Sequence, residues 1–143
     1  MITDLLFTPA VQASERLRGR FEVNNILCTV LGAGLLSTGV AKVVATGFVV
    51  QTFPDSTLSQ GALVAIGLVE LLAAVLTIIP TSRLIGSSLI SLVMLGATTY
   101  HMMRGEPLSA LIPLSALALA MASFLIEYSL RRAELQLSPV STR

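Results

Sequence analysis

The sequence predicts an all-α membrane protein, a transmembrane four-helix bundle with both termini in the cytoplasm. Hydrophobic residues make up 54% of the 143-residue chain and charged residues only 12%, against about 25% charged residues in soluble proteins. The mean hydropathy is +0.84. Four long apolar stretches nearly exhaust the chain and leave no room for a second soluble domain. These observations together exclude a soluble domain.

Each predicted span has a recognisable composition or boundary. The first, Ile26 to Val50, is rich in glycine, serine and threonine, which let neighbouring backbones approach closely inside a bilayer. The second, Gly61 to Ile79, is long enough to cross the hydrocarbon core and is ended by Pro80. A short turn leads to the third, Leu84 to Met103, so these two spans form an antiparallel hairpin. The fourth, Leu108 to Leu130, contains an internal proline that neighbouring helices can accommodate.

Small and weakly polar side chains mark the faces that we expect to point into the bundle. In the first span, Gly32, Gly34 and Gly39 predict close packing against a neighbouring helix. In the third span, one stripe recurs at helical spacing and is expected to face the interior. Its members are Ser87, Ser91, Met94, Ala97, Thr98 and His101.

The chain divides into three predicted parts. Residues 1–24 form an N-terminal interfacial segment, with basic side chains and Phe21 at the lipid headgroups; a solvated basic arm is the alternative. Residues 25–130 form the four-span membrane domain, and residues 131–143 form a polar tail. No cleavable signal sequence is predicted, because the initial apolar run is short and no basic residue precedes it.

The distribution of arginine predicts the orientation. Among the arginines that flank the predicted spans, six fall on one side of the bundle and Arg104 on the other, so the positive-inside rule places both termini in the cytoplasm. The six are Arg16, Arg18, Arg20, Arg83, Arg131 and Arg132. The loops Gln51 to Gln60 and Arg104 to Pro107 are then extracytoplasmic. With a net charge of +1, the chain is not expected to bind nucleic acid.

Glu70 lies in the middle of the second span, where a carboxylate costs about 2.5–3.5 kcal/mol on insertion scales. Such a residue is expected to have a partner or a task. At 1.5 Å per residue, Glu70 lies about 13 Å and Lys42 about 12 Å from the outer boundary. These matched depths on adjacent antiparallel spans predict an ion pair. His101 lies about 8 Å shallower and is expected to complete a polar column.

Lys42, Glu70 and His101 are therefore the candidate ligand-binding or proton-relay residues. For Lys42 and Glu70, an internal ion pair that fixes helix register and a functional pocket both remain open. For His101, the alternative is an interfacial imidazole bonded to water or a headgroup. One histidine and one carboxylate fall short of a zinc site, so no metal site is predicted. No catalytic constellation is found in the sequence.

Two further features have simpler interpretations. Cys28 is the single cysteine, so neither an internal disulfide nor a Cys-x-x-Cys redox pair can form. Its position near the start of the first span favours a small apolar filler. Glu127 and Arg131 are four residues apart at the cytoplasmic end of the fourth span, which predicts a surface salt bridge.

Four short motifs occur on successive parts of the predicted bundle. They are Gly39-Val40-Ala41-Lys42, Ile66-Gly67-Leu68-Val69-Glu70-Leu71-Leu72, Pro80-Thr81-Ser82-Arg83, and Met94-Leu95-Gly96-Ala97 followed by His101. Across about Asn25 to Glu127, their order and spacing resemble the DoxX-like family. The resemblance implies a four-helix protein of the bacterial inner membrane whose polar positions are Lys42, Glu70 and His101.

The family takes its name from a subunit of a thiosulfate:quinone oxidoreductase. The resemblance therefore implies the membrane subunit of a redox or quinone-linked assembly, with quinone as a ligand and no intrinsic cofactor. Without a cysteine pair or cofactor signature, the polypeptide is not expected to be catalytic alone. The expected partners are the lipid bilayer and either another membrane protein or further copies of this chain.

Two other functions remain open from the sequence. Many small residues on several spans indicate a non-enzymatic accessory subunit or assembly factor of a larger membrane complex. A small-molecule or proton permease is the third hypothesis. The sequence has no internal repeat, which argues against a transporter of the inverted-repeat type.

Overall fold

The computed structural model describes residues 2–44 and 59–137, with side chains for 14–44 and 59–136. Four helices account for nearly all of this part of the chain. They are α1 (Ile2–Val44), α2 (Gln60–Ile78), α3 (Arg83–Met103) and α4 (Pro107–Leu137). Each contains a stretch long and apolar enough to cross a membrane, and the described ranges contain no strand. The predicted fold class, a four-helix bundle of membrane-spanning helices, is confirmed.

The helices form a closed antiparallel ring. Each one packs against its neighbour in sequence, and α4 returns to pack against α1. The α1–α2 and α3–α4 pairs make the most extensive contacts. The short connections between α2 and α3 and between α3 and α4 favour such an up-and-down arrangement. We call the end that carries the six arginines named above the basic end, and the end with the α3–α4 turn the opposite end.

The ends of α2 and α3 agree with the sequence to within one residue. Ser59 caps α2, its side chain accepting a hydrogen bond from the Ala62 backbone N–H at 3.2 Å. Pro80 opens a single 3-10 turn, Pro80–Ser82, that leads directly into α3. Because proline cannot continue a helix, the change of direction occurs where the sequence predicted it.

The outer two helices are longer than their predicted spans. α1 begins at Ile2 and shows no break before the predicted span at Ile26, so residues 2–24 continue that helix. Their position at the membrane surface stays a prediction. α4 extends seven residues beyond the predicted end at Leu130, into the predicted tail. The predicted end of span one, Val50, most of the loop after it and residues 138–143 lie outside the described residues.

Close contact between α1 and α2 depends on three glycines, Gly32 and Gly39 of α1 and Gly67 of α2. A Cβ atom on Gly67 would lie 2.9 Å from the Lys42 Cβ and 3.0 Å from the Gly39 carbonyl oxygen. Gly32 is similarly enclosed, by the Ile78 side chain. The predicted close packing therefore holds for Gly32 and Gly39. It is wrong for Gly34, which has no atom of a neighbouring helix within 4 Å of such a Cβ.

An apolar layer crosses the middle of the bundle. Its members come from all four helices and are Leu31, Leu35, Ala73, Ala74, Ile90, Met94 and Ala120. The predicted stripe on α3 is at least partly buried along its whole length, so its predicted inward orientation is confirmed. Polar clusters lie on both sides of this layer.

Candidate functional site

Lys42 and Glu70 form the ion pair that their depths predicted. The Lys42 Nζ donates hydrogen bonds to both carboxylate oxygens of Glu70, at 2.9 and 2.7 Å. Thr38 donates a third hydrogen bond, from its Oγ1 to Glu70 Oε2 at 3.2 Å. The Glu70 side chain is 4% exposed and that of Lys42 27%. The carboxylate is thus buried with three donors, which offset its desolvation.

The backbone brings these two charges together. Gly39 and Gly67 let α1 and α2 approach closely one helical turn or less from the ion pair. The Lys42 ammonium has three N–H donors, and among the described residues both of its hydrogen bonds go to Glu70. One donor therefore remains for another acceptor.

The turn between α3 and α4 builds a second polar group at the opposite end. Gly105 has a φ of 70°, a left-handed conformation that glycine adopts without strain. The Glu106 N–H bonds to the His101 carbonyl at 3.0 Å and the Gly105 N–H to the Met102 carbonyl at 3.1 Å. This is the Schellman pattern of a helix C-terminus. Pro107 then starts α4, a favoured position for proline.

This tight turn places Glu106 beside two nitrogen groups. Its carboxylate lies 2.8 Å from Arg104 Nε and 3.0 Å from His101 Nδ1. The hydrogen bond from Arg104, and then that from His101, lower the pKa of Glu106 below its usual value. The hydrogen bond to Glu106, and then that to Tyr100, raise the pKa of Arg104. The guanidinium also lies 5.7 Å from the Tyr100 ring centroid.

Both polar groups line one cavity of about 1150 Å³. Lys42, Glu70, His101 and Glu106 lie in its wall, whereas most of the lining is apolar and comes from all four helices. Exposed apolar side chains, such as Ile112, also line it. The cavity therefore opens at a surface that would face lipid tails. It is slightly larger than the usual range for small-molecule sites, about 300–1000 Å³.

The predicted polar column is only partly continuous. Lys42 and Glu70 bond to each other, but the polar partner of His101 is Glu106, a residue that the sequence interpretation did not select. His101 therefore makes no direct hydrogen bond to Lys42 or Glu70, and it is related to them by lining the same cavity. The sequence signal for Glu106 was its position directly after Gly105 and before Pro107, which identifies a tight turn close to His101.

A second buried polar cluster, at the basic end, was not predicted. The Asn24 Nδ2 donates to Glu127 Oε2 at 2.9 Å, and Ser123 Oγ donates to Asn24 Oδ1 at 2.9 Å. Arg131 Nε donates to Glu127 Oε1 at 3.0 Å, and its Nη2 donates to the carbonyls of Pro80 and Thr81. This cluster joins α1, α4 and the α2–α3 turn. Neither Asn24 nor Glu127 lines the cavity.

Two sequence interpretations change because of this cluster. The Glu127–Arg131 pair exists, but its description as a surface salt bridge is wrong, since Glu127 is 7% exposed and also bonds to Asn24. Cys28 is buried, as a filler would be. However, its thiol has polar neighbours, with Ser123 Oγ at 3.2 Å and Asn24 Oδ1 at 3.8 Å.

Among the described residues, no group of three or more histidine, cysteine or acidic side chains could hold a metal ion. The charged and imidazole side chains at the cavity are one ammonium, one guanidinium, one imidazole and two carboxylates, largely bonded to one another. Such an arrangement can hydrogen-bond an uncharged polar group and hold protons close to it.

Comparison with known proteins agrees with the geometry. The sequence profile of the DoxX-like family matches residues 26–123, more than half of the chain. The match includes Lys42, Glu70 and His101. It extends into the last membrane span and stops before the end of that span. No curated protein and no solved structure matches the chain significantly. The chain therefore belongs to the DoxX-like family and is a multi-pass membrane protein.

Proposed function

We propose that this protein is the membrane subunit of a redox or quinone-linked assembly and that its cavity binds a quinone. The single observation that carries the proposal is the Lys42–Glu70 ion pair in the wall of a large, mainly apolar cavity. A ligand that fits must be mostly apolar, reach the site from the lipid phase and present a hydrogen-bond acceptor. A quinone has these properties.

The residues present fit such a ligand. The remaining donor of Lys42 can hydrogen-bond a quinone carbonyl oxygen, and the apolar lining can accommodate the ring and the start of the isoprenoid tail. The exposed apolar side chains near Ile112 leave a route for the rest of the tail into the lipid. The two hydrogen bonds to Glu70 hold the ammonium in place.

A quinone, when bound, supplies a group that takes up electrons and protons together. In this proposal Lys42 donates a hydrogen bond to the quinone carbonyl oxygen. Glu70 accepts or relays a proton beside it. His101 exchanges protons with the aqueous phase at the opposite end of the bundle, where Glu106 fixes its ring.

Electrons would come from a partner protein. The sequence has one cysteine, so it cannot form an internal dithiol, and the proposal assigns the electron donor to another subunit. We further propose a bacterial inner-membrane location with both termini in the cytoplasm. The concentration of arginine at the basic end supports this orientation.

Gentle purification followed by mass spectrometry of the retained molecules tests the proposal. We expect quinone to copurify with the native protein and to be lost from Glu70→Gln, without loss of the folded state. Glu127→Gln is the matched control, because it changes a second buried glutamate outside the cavity. Quinone retained equally by the native protein and Glu70→Gln would contradict the proposal.

The accessory-subunit hypothesis loses part of its support in the structure. Several of the small residues that motivated it are used inside the bundle: Gly32 and Gly39 contact α2, and Ser87 and Ser123 are fully buried. Gly34 and Ser115 line the cavity. A stable stoichiometric complex without bound quinone would favour this alternative over the quinone site.

A further inference from the structure

Arg83, the first residue of α3, is buried, and two of its three guanidinium nitrogens have no hydrogen-bond partner in the described part of the chain. The residue is 5% exposed, and among the described residues its Nε and Nη1 nitrogens have no acceptor and no exposure to solvent. The Phe21 ring lies over the guanidinium, with its centroid 5.8 Å from Cζ. An arginine at the end of a span usually extends to water. Here it is held beneath an aromatic ring.

Three acceptors at the basic end bond to residues other than Arg83. The carbonyls of Pro80 and Thr81, in the turn that leads to Arg83, accept hydrogen bonds from Arg131. The Glu127 carboxylate accepts from Arg131 and Asn24. A buried guanidinium with two unsatisfied donor nitrogens is costly, and no anionic side chain among the described residues bonds to it.

We propose that Arg83 is the centre of an anion site that binds a phosphate group at the basic end of the bundle. A guanidinium matches the geometry and charge of phosphate oxygens. Arg83 lies where the apolar part of α3 begins, which is the level of the lipid headgroups. Arg16, Arg20 and Arg132 add positive charge to the same end. The site is separate from the cavity and independent of the proposed quinone function.

Binding measurements on purified protein in a nonionic detergent test the site. The probes are phosphatidylglycerol, inorganic phosphate, and diacylglycerol as a phosphate-free lipid. We expect phosphatidylglycerol to remain bound in native mass spectrometry, and its affinity to fall about tenfold or more in Arg83→Gln. Arg132→Gln, which changes an exposed arginine at the same end, should stay within about twofold of the native affinity, as expected for a weakly coupled surface charge.

Thermal unfolding separates an anion site from a purely structural arginine. Without added anion, Arg83→Gln should unfold at the same temperature as the native protein or higher, because the substitution removes an unpartnered charge. Phosphatidylglycerol should then raise the unfolding temperature of the native protein but not of Arg83→Gln. If Arg83→Gln does not fold, Arg83→Lys provides the comparison, with intermediate affinity expected.

The two phosphate sources give different results. Stabilisation by phosphatidylglycerol alone identifies a lipid site, whereas equal stabilisation by inorganic phosphate identifies a site for a free anion. Equal phosphatidylglycerol affinity in the native protein and Arg83→Gln overturns the proposal. An equal loss of affinity in Arg132→Gln also overturns it, since this would indicate a general attraction to the basic end.

Discussion

Two buried glutamates on opposite sides of the apolar layer have different surroundings. Glu127 accepts hydrogen bonds from Asn24 and Arg131 within a packed cluster that joins three parts of the chain. Glu70 is buried just as deeply but lies in the wall of a large cavity. Its partner Lys42 retains a hydrogen-bond donor. Burial and ion pairing are therefore common to both glutamates, and the adjacent free volume and the remaining donor of Lys42 are what set Glu70 apart.

The largest expected effect comes from breaking the ion pair beside the cavity. Lys42→Met leaves the Glu70 carboxylate buried without its cation and should lower the free energy of unfolding by about 3–5 kcal/mol. The double variant Lys42→Met, Glu70→Leu should recover most of this loss, because similar apolar replacements of buried pairs are often neutral. Unfolding of the detergent-solubilised proteins measures both. A double variant as unstable as the single one would contradict this account.

The same double variant separates the two interpretations of the pair. If Lys42 and Glu70 only fix helix register, the recovered protein should bind as much quinone as the native one. We expect instead a stable protein without quinone. The measurement is the quinone content of purified samples matched for unfolding temperature.

At the basic end, the expected effect is on stability alone. Asn24→Ala removes one donor to Glu127 and the acceptor of Ser123, which should cost about 1–3 kcal/mol. Quinone content should not change, because Asn24 does not line the cavity. Ser115→Ala, a substitution at the cavity wall, is the control for the measurement of quinone content. Loss of quinone in Asn24→Ala would show that the two clusters are coupled.

The same added methyl group should have opposite consequences at two glycines of α3. A Cβ on Gly86 would meet the backbone of α2 at the Thr77 nitrogen, 2.5 Å away, whereas one on Gly96 meets no neighbouring helix. Gly86→Ala should therefore destabilise the protein by about 1–3 kcal/mol through overpacking. Gly96→Ala should be neutral or stabilising, since alanine favours the helix. Equal losses from both substitutions would disagree with the packing described for α3.

The smallest expected effect concerns pH. Hydrogen bonds from Arg104 and His101 lower the pKa of Glu106 in the folded protein. This interaction therefore stabilises the fold above the ordinary pKa of a glutamate, and the stabilisation is lost as the pH falls through the lowered value. The shift in unfolding temperature should be small because the group is exposed to solvent. Scans from pH 7 to pH 3 should show less acid sensitivity in Glu106→Gln than in the native protein, and identical scans would contradict this role.

The sequence predicts the fold well because lipid requires long apolar helices. The ends of α2 and α3 follow from the apolar run and from Pro80. The pairing of Lys42 with Glu70 follows from depth, because two charges in a bilayer have few other partners. These features depend on spacing along single helices, which the sequence gives directly.

The remaining features depend on the rotation and tilt of helices against each other. Asn24, Ser123 and Glu127 are individually ordinary, and only the contact between α1 and α4 makes them a cluster. The cavity is the volume that four helices leave unfilled, and no motif encodes it. The sequence places Arg83 just before the third span, and only the folded structure puts the ring of Phe21 over it. Such features require the three-dimensional packing.

The apolar layer is an electrical barrier between the two ends of the bundle. Leucine, isoleucine and alanine side chains separate the two polar clusters, so the described structure offers no continuous chain of hydrogen-bonding groups across the bundle. In the proposed function, a proton that reaches Glu70 from the opposite end would move through only part of the membrane voltage, which is worth about 2.3 kcal/mol per charge per 100 mV over the full thickness. Charge transfer at this glutamate should therefore respond to voltage less than full transmembrane transport does.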